Sequence, residues 1–97
     1  MKVATKTELS AWDAAGYLDT EGDMALYLDA ALAESDSALV AAALGDIARA
    51  KGMSTIARET GLSREGLYRS LSPNGNPELG TVLKVADCLG LRFHVTA

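Results

Sequence analysis

One short stretch of the chain brings together the side chains best suited to contact nucleic acid. Arg64, Glu65, Tyr68 and Arg69 fall on one side of a helix when they are read with helical spacing. A guanidinium can donate two hydrogen bonds to a guanine edge or a phosphate. Arg58 lies on the preceding helix, where we expect a phosphate contact. These residue types on one exposed face predict binding in the major groove of DNA.

Two short helices around a tight turn must position these side chains, and residues 53–72 (MSTIARETGLSREGLYRSLS) have that pattern. Ala57 is small where the second helix crosses above it, Gly61 provides the positive φ of the turn, and Leu67 fills the space between the helices. Ser63 is the expected N-cap of the second helix and a further candidate for DNA contact. The spacing is that of a helix-turn-helix. An ordinary helical hairpin is the alternative interpretation.

The sequence contains no constellation typical of catalysis or metal binding. His94 is the only histidine and has no cysteine or acid at ligand spacing. Cys88 is the single cysteine, so no intrachain disulfide can form, and its place on the apolar side of a predicted helix indicates a buried thiol. Residues 75–81 (GNPELGT) look like a phosphate-binding loop but lack its lysine and its preceding strand. We therefore expect no enzyme activity, no cofactor and no metal.

Length and composition favour one helical unit without a membrane segment. A chain of 97 residues with 48% hydrophobic content, dominated by Ala and Leu, can bury one core. No apolar run approaches the roughly 20 residues that a membrane helix needs. The first ten residues lack the apolar centre of a secretory signal. With the single cysteine, these features predict a cytoplasmic protein.

The net charge of −4 is distributed unevenly along the chain. Residues 1–48 hold two lysines against nine acidic residues, a net charge of −7. Residues 49–72 hold five basic residues against two acidic ones, a net charge of +3, and residues 73–97 are balanced. Such asymmetry indicates two partners of opposite charge. The alternative is an acidic surface that only keeps the protein in solution.

Three further helices are predicted from their caps and apolar spacing. The first begins after Thr20, the second begins at an Asp36 or Ser37 cap and ends at Gly52, and the third spans residues 81–89. The predicted fold is therefore all-α. The expected buried residues of the three helices are Met24, Tyr27, Leu28, Ala31, Leu32, Val40, Ala43, Leu44, Ile47, Ala48, Val82, Leu83, Val85, Ala86 and Leu89.

The C-terminal seven residues alternate in polarity, which is typical of a β-strand. Leu91, Phe93 and Val95 face one way, and the residues between them are polar. Because one strand cannot form a sheet, we expect it to pair with the same strand of a second copy and so to make a homodimer. The competing interpretation is that Phe93 folds back onto its own core.

Two stretches of the chain resemble the addiction-module antidote family, the HigA-like antitoxins with a helix-turn-helix of the XRE type. Residues 44–91 carry GMSTIARETGLSREGLYRSLS followed by NPELGT. Residues 12–34 (WDAAGYLDTEGDMALYLDAALAE) are similar to the N-terminal segment of that family, although Gly22 stands where an acid is usual. The resemblance implies a lambda-repressor-like helix-turn-helix bundle with a short C-terminal β-strand. It also implies an antitoxin that neutralises a RelE/ParE-like toxin by direct binding and represses its own operon as a dimer on operator DNA.

Under this resemblance, residues 1–35 would be an acidic segment that contacts the toxin, and residues 36–97 a DNA-binding domain, within one compact unit. Apolar anchors would supply affinity, and acidic groups would attract the basic surface of an RNA-binding toxin. The alternative is that the two aromatic residues of this segment, Trp12 and Tyr17, only cap the core. The expected toxin contacts are Trp12, Asp13, Tyr17, Leu18, Asp19 and Glu21. A regulator without a toxin and a protein-interaction module that binds no DNA are the other functional classes.

Overall fold

The computed structural model describes residues 18–97, and their fold is built from helices alone. These residues contain five α-helices, and no β-strand is present among them. The predicted all-α architecture agrees with this part of the chain. The helices are α1 (Glu21–Ala33), α2 (Ser37–Lys51), α3 (Met53–Thr60), α4 (Arg64–Ser70) and α5 (Leu79–Cys88).

Local capping explains where the first two helices begin and end. The Thr20 side chain accepts a hydrogen bond of 3.0 Å from the backbone N–H of Asp23. The Asp36 side chain accepts bonds from the N–H groups of the first turn of α2. Both side chains satisfy donors that a helix start leaves without an intrahelical partner. Gly52 ends α2 with a φ of +111°, a value that glycine adopts more readily than other residues. These predicted boundaries are confirmed.

Helix α2 is the centre of the bundle, because α1, α3, α4 and α5 all pack against it. Its Leu44, Ile47 and Ala48 are completely enclosed. Gly45 lies at the closest approach of two elements: a Cβ here would collide with the carbonyl oxygen of Leu71, the residue that ends α4. The core cluster consists of Leu18, Met24, Leu28, Ala31, Ala43, Leu44, Ile47, Ala48, Met53, Ile56, Leu67, Leu71, Val85 and Leu89.

Two predicted core residues are exposed instead. Leu32 lies on the solvent side of α1, because α1 packs chiefly on α2 and buries a narrow stripe. Leu83 lies on the solvent side of α5, whose inner side is formed by Val85 and Ala86. Helix α5 also begins at Leu79, two residues before the predicted start.

The predicted C-terminal strand is wrong. After α5 the chain turns at Gly90, which has a φ of +77°. The backbone N–H of Leu91 then donates to the carbonyl of Ala86 at 2.9 Å, and that of Gly90 donates to Asp87 at 3.0 Å. This pair of bonds is a Schellman motif, so Leu91 closes the helix rather than beginning a strand. Within residues 18–97 no second strand is available to pair with the tail.

Candidate nucleic-acid interface

Helices α3 and α4 form a compact unit around the turn at Gly61. Gly61 has a φ of +76° and a ψ of 10°, and its N–H donates to the carbonyl of Ala57 at 2.9 Å. The Ser63 hydroxyl accepts a bond of 3.0 Å from the N–H of Gly66 and so caps α4. Leu67 is fully buried beneath the turn. The predicted pair of short helices around a glycine turn is therefore present.

The outer side of α4 carries the four side chains that the sequence placed there, and all four are exposed. Arg69 lies 3.7 Å from the carboxylate of Glu65. The Arg64 guanidinium lies 5.8 Å from the centre of the Tyr68 ring, a cation–π contact. Both contacts run along one helix and face water, so each stabilises the chain by about 1 kcal/mol or less. The guanidiniums can therefore exchange these contacts for other hydrogen-bond acceptors at little cost.

Two further predicted DNA contacts and a groove border this face. Arg58 is exposed in the last turn of α3. Ser63 is also exposed. Its hydroxyl oxygen accepts the capping hydrogen bond from Gly66, and its hydroxyl proton can still be donated to another group. An open groove of about 240 Å³ runs between α4 and the loop that leads to α5. Its walls are formed by Leu62, Ser63, Gly66, Leu67, Ser70, Asn76, Pro77, Glu78 and Thr81.

The residues predicted to contact a toxin are only partly described by the structure. Trp12, Asp13 and Tyr17 lie outside the described residues. Asp19 and Glu21 are exposed, as a binding role requires. The Glu21 carboxylate lies against Gly90, in the turn after α5. A Cβ added at Gly90 would collide with this carboxylate.

Leu18 was predicted as a toxin-binding anchor, and it is buried in the core. Its side chain is therefore not available on the surface of the folded chain. The remaining toxin contacts stay predictions.

The residues predicted for dimerisation are also divided between core and surface. Leu91 is half-buried and packs against the core. Phe93 and Val95 are exposed. Their part in a dimer stays a prediction, but pairing of two C-terminal strands is no longer part of it.

One polar cluster in the interior was missed by the sequence reasoning. Asp46 is only 7% exposed and lies within the apolar surface of α2. The Tyr27 hydroxyl donates to its carboxylate at 2.5 Å, and the Arg49 guanidinium pairs with it at 2.5 Å. Burial first, and then the hydrogen bond to Asp46, raise the pKa of Tyr27 well above its ordinary value. The sequence did contain a signal for this cluster, since Asp46 lies inside the predicted buried stripe and Arg49 follows three residues later.

The single thiol is half-buried rather than enclosed. Cys88 donates from Sγ to the Glu59 carboxylate at 3.1 Å and so links α5 to α3. Burial, with a further contribution from the carboxylate of Glu59, raises the pKa of the Cys88 thiol. The group is therefore a protonated donor near neutral pH rather than a reactive thiolate.

Within residues 18–97, no group of three or more His, Cys, Asp or Glu side chains is arranged to hold a metal ion. None of the helices formed by these residues is long and apolar enough to cross a bilayer.

Comparison with known proteins identifies the family. The model of a family described as "Probable addiction module antidote protein" matches residues 8–97. The chain belongs to this family. A protein of Haemophilus influenzae described only as uncharacterized is 50% identical over 88 residues, which is 91% of either chain. No solved structure gives a significant match. Membership of an antidote family supports an antitoxin role and a toxin as partner.

Proposed function

We propose that the chain is a cytoplasmic antitoxin that binds operator DNA through α3 and α4. In this proposal the two helices act as a helix-turn-helix, with α4 as the recognition helix in the major groove. The chain also neutralises a RelE/ParE-like toxin by direct contact and represses the operon that encodes both proteins. The observation that carries the DNA-binding part is the exposed face of α4, with two guanidiniums and a phenol beside a capped helix start.

The uneven distribution of charge supports separate surfaces for DNA and toxin. Residues 49–72, which comprise the end of α2, α3 and α4, have a net charge of +3 in an acidic protein, and Arg58, Arg64 and Arg69 lie on α3 and α4. A local excess of positive charge attracts phosphates even when the whole protein repels them. Nine of the 13 acidic residues precede this region in the chain, and of these Asp46 pairs with Arg49.

The DNA-binding proposal is tested with the DNA upstream of the chain's own gene. Arg64→Ala/Arg69→Ala should weaken binding in a mobility-shift titration by about 2–6 kcal/mol, since each base contact contributes about 1–3 kcal/mol. Lys84→Ala/Arg92→Ala removes the same charge from exposed positions outside the unit and is the matched control. Salt must be the same in all titrations, because phosphate contacts depend on it. Equal affinity of the two double variants would refute α4 as the recognition helix.

Neutralisation is tested by co-expression with the toxin-like gene next to the chain's own. The antitoxin should restore growth and should co-purify with the toxin. Operator binding without either result would identify the chain as a stand-alone regulator. Toxin binding without operator binding would identify the chain as a protein-interaction module that binds no DNA.

We further propose that two copies bind the operator together, since recognition helices of this class act in pairs about one DNA turn, near 34 Å, apart. The exposed Phe93 and Val95 are the proposed contact, made by side-chain packing without a strand pair. Phe93→Ser/Val95→Ser should lower the mass measured by light scattering from two chains to one. An unchanged mass would move the contact to another surface.

A further inference from the structure

One acid stands among the basic and aromatic side chains on the outer side of α4. Glu65 lies in the first turn of this seven-residue helix, and its side chain is 90% exposed. The other acid of residues 49–72, Glu59, accepts a hydrogen bond from Cys88 on α5. Phosphates repel a carboxylate, so Glu65 weakens binding to DNA of every sequence unless it gains a partner of its own. Its presence on this face is therefore not explained by attraction to the DNA backbone.

The length of α4 places Glu65 among the bases when the helix lies in the major groove. Seven residues at about 1.5 Å each make a helix of roughly 10 Å, and the groove is about 12 Å wide. The Ser63 cap fixes where the helix begins, so Glu65 is held in its first turn. A recognition helix contacts base edges with its N-terminal residues. Glu65 is therefore positioned to meet a base edge.

The chemistry of the base edges limits what a carboxylate can bind. An ionised carboxylate accepts hydrogen bonds and donates none. In the major groove guanine presents acceptors, and thymine presents an acceptor and a methyl group. Adenine has a donor at N6 but an acceptor beside it at N7, which repels a carboxylate. Cytosine presents only the N4 amino group, so cytosine is the base that suits Glu65.

Arg69 determines where that cytosine lies. Its guanidinium and the Glu65 carboxylate are 3.7 Å apart, and the two residues are separated by one helical turn. Four residues rise about 6 Å along a helix, whereas successive bases of one strand are about 3.4 Å apart. Arginine most often binds the O6 and N7 acceptors of guanine. The two side chains can therefore contact a cytosine and a guanine that are close neighbours in the operator.

We propose that Glu65 is a specificity-determining residue, which accepts a hydrogen bond from N4 of an operator cytosine no more than about two base pairs from the guanine bound by Arg69. This inference rests on the proposed DNA-binding function and adds the identity of one operator base to it. Both side chains face water in the unbound chain, so their contact can open on DNA at little cost. The alternative is that Glu65 only stabilises the N-terminus of α4 as a first-turn acid.

The experiment measures the base preference of the full chain on the DNA upstream of its own gene. Each base pair of the bound segment is replaced in turn by the other three pairs, and the affinities are measured by competition at one salt concentration. For the unaltered chain, replacing the cytosine should weaken binding by about tenfold. For Glu65→Gln, adenine should become the preferred base at that position, because a glutamine amide pairs with N6 and N7 of adenine.

Glu78→Gln is the matched control. Glu78 is exposed at the start of α5 and lines the groove beside α4, and the change removes the same charge. Both variants should bind every duplex somewhat more tightly, since each has lost a charge that phosphates repel. Only Glu65→Gln should alter which base is preferred. Both variants should melt within about 4 °C of the unaltered chain, because exposed substitutions change the unfolding free energy little.

The outcomes separate this inference from the proposed function. If the unaltered chain does not bind this DNA, the DNA-binding proposal fails and the inference fails with it. If the unaltered chain binds, and Glu65→Gln strengthens binding to all duplexes equally without a change in base preference, only the inference is refuted. If the base that loses its preference in Glu65→Gln is not a cytosine, the assignment of cytosine to Glu65 is wrong.

Discussion

The bond between Tyr27 and Asp46 should contribute measurably to stability, because it joins α1 to α2 through a nearly buried carboxylate. Tyr27→Phe removes the donor and keeps the ring, so the packing of α1 changes little. The carboxylate of Asp46 is almost completely shielded from water and, among residues 18–97, keeps Arg49 as its remaining partner. Water cannot easily replace the lost hydroxyl, so the folded state loses free energy.

The expected magnitude follows from the type of bond. A hydrogen bond to a charged group contributes about 1.5–3 kcal/mol. Tyr27 is only half-buried, which places the loss near the lower end, about 1.5–2 kcal/mol. For a chain of this size, that corresponds to a fall in Tm of about 6–16 °C.

Chemical and thermal unfolding measure this loss. Tyr68→Phe is the matched control, because Tyr68 is exposed on α4 and its ring contacts Arg64 rather than the core. That variant should change the unfolding free energy by less than about 0.5 kcal/mol. If both variants unfold alike, the hydroxyl of Tyr27 does not stabilise the packing of α1.

Three other predictions follow from local chemistry. The pKa of Tyr27 is raised above its ordinary 10.0, so the stability that its protonated hydroxyl contributes is full below pH 10 and is lost as the pH rises further. Tyr27→Phe has no hydroxyl to ionise. When Tm is measured against pH, this variant should therefore lose less stability above pH 10 than the unaltered chain does. Gly61→Ala should cost about 1 kcal/mol of unfolding free energy, whereas Gly80→Ala, in open space on α5, should gain about 0.5–1 kcal/mol. Glu59→Gln should speed alkylation of Cys88 by iodoacetamide, because it removes a charge that raises the pKa of the thiol; an unchanged rate would contradict this cause.

Sequence patterns were sufficient where the cause of the structure is local. Thr20, Ser63 and Gly61 act on groups within four residues of themselves, so their roles follow from spacing. Asp46 could not be assigned in this way, because its partner Tyr27 is 19 residues earlier and meets it only when α1 packs on α2.

The errors have the same origin in contacts between distant parts of the chain. The alternation of the tail is compatible with a strand, but a strand requires a partner that alternation does not supply. Spacing also left Leu26 outside the buried stripe, and its 73% exposure depends on how α1 packs on α2. The exposure of the side chains on the outer side of α4 was easier to predict, because these side chains all lie on one short helix.

The close approach at Gly45 has a consequence for genetic variation. Every amino-acid replacement of a glycine adds a Cβ, and at this position a Cβ meets the backbone of Leu71, which cannot rotate away as a side chain can. Since Leu71 ends α4, any missense change in codon 45 would push the end of that helix away from α2. In a saturation library selected for function, codon 45 should therefore retain glycine alone, while codon 80 on the open side of α5 accepts many replacements.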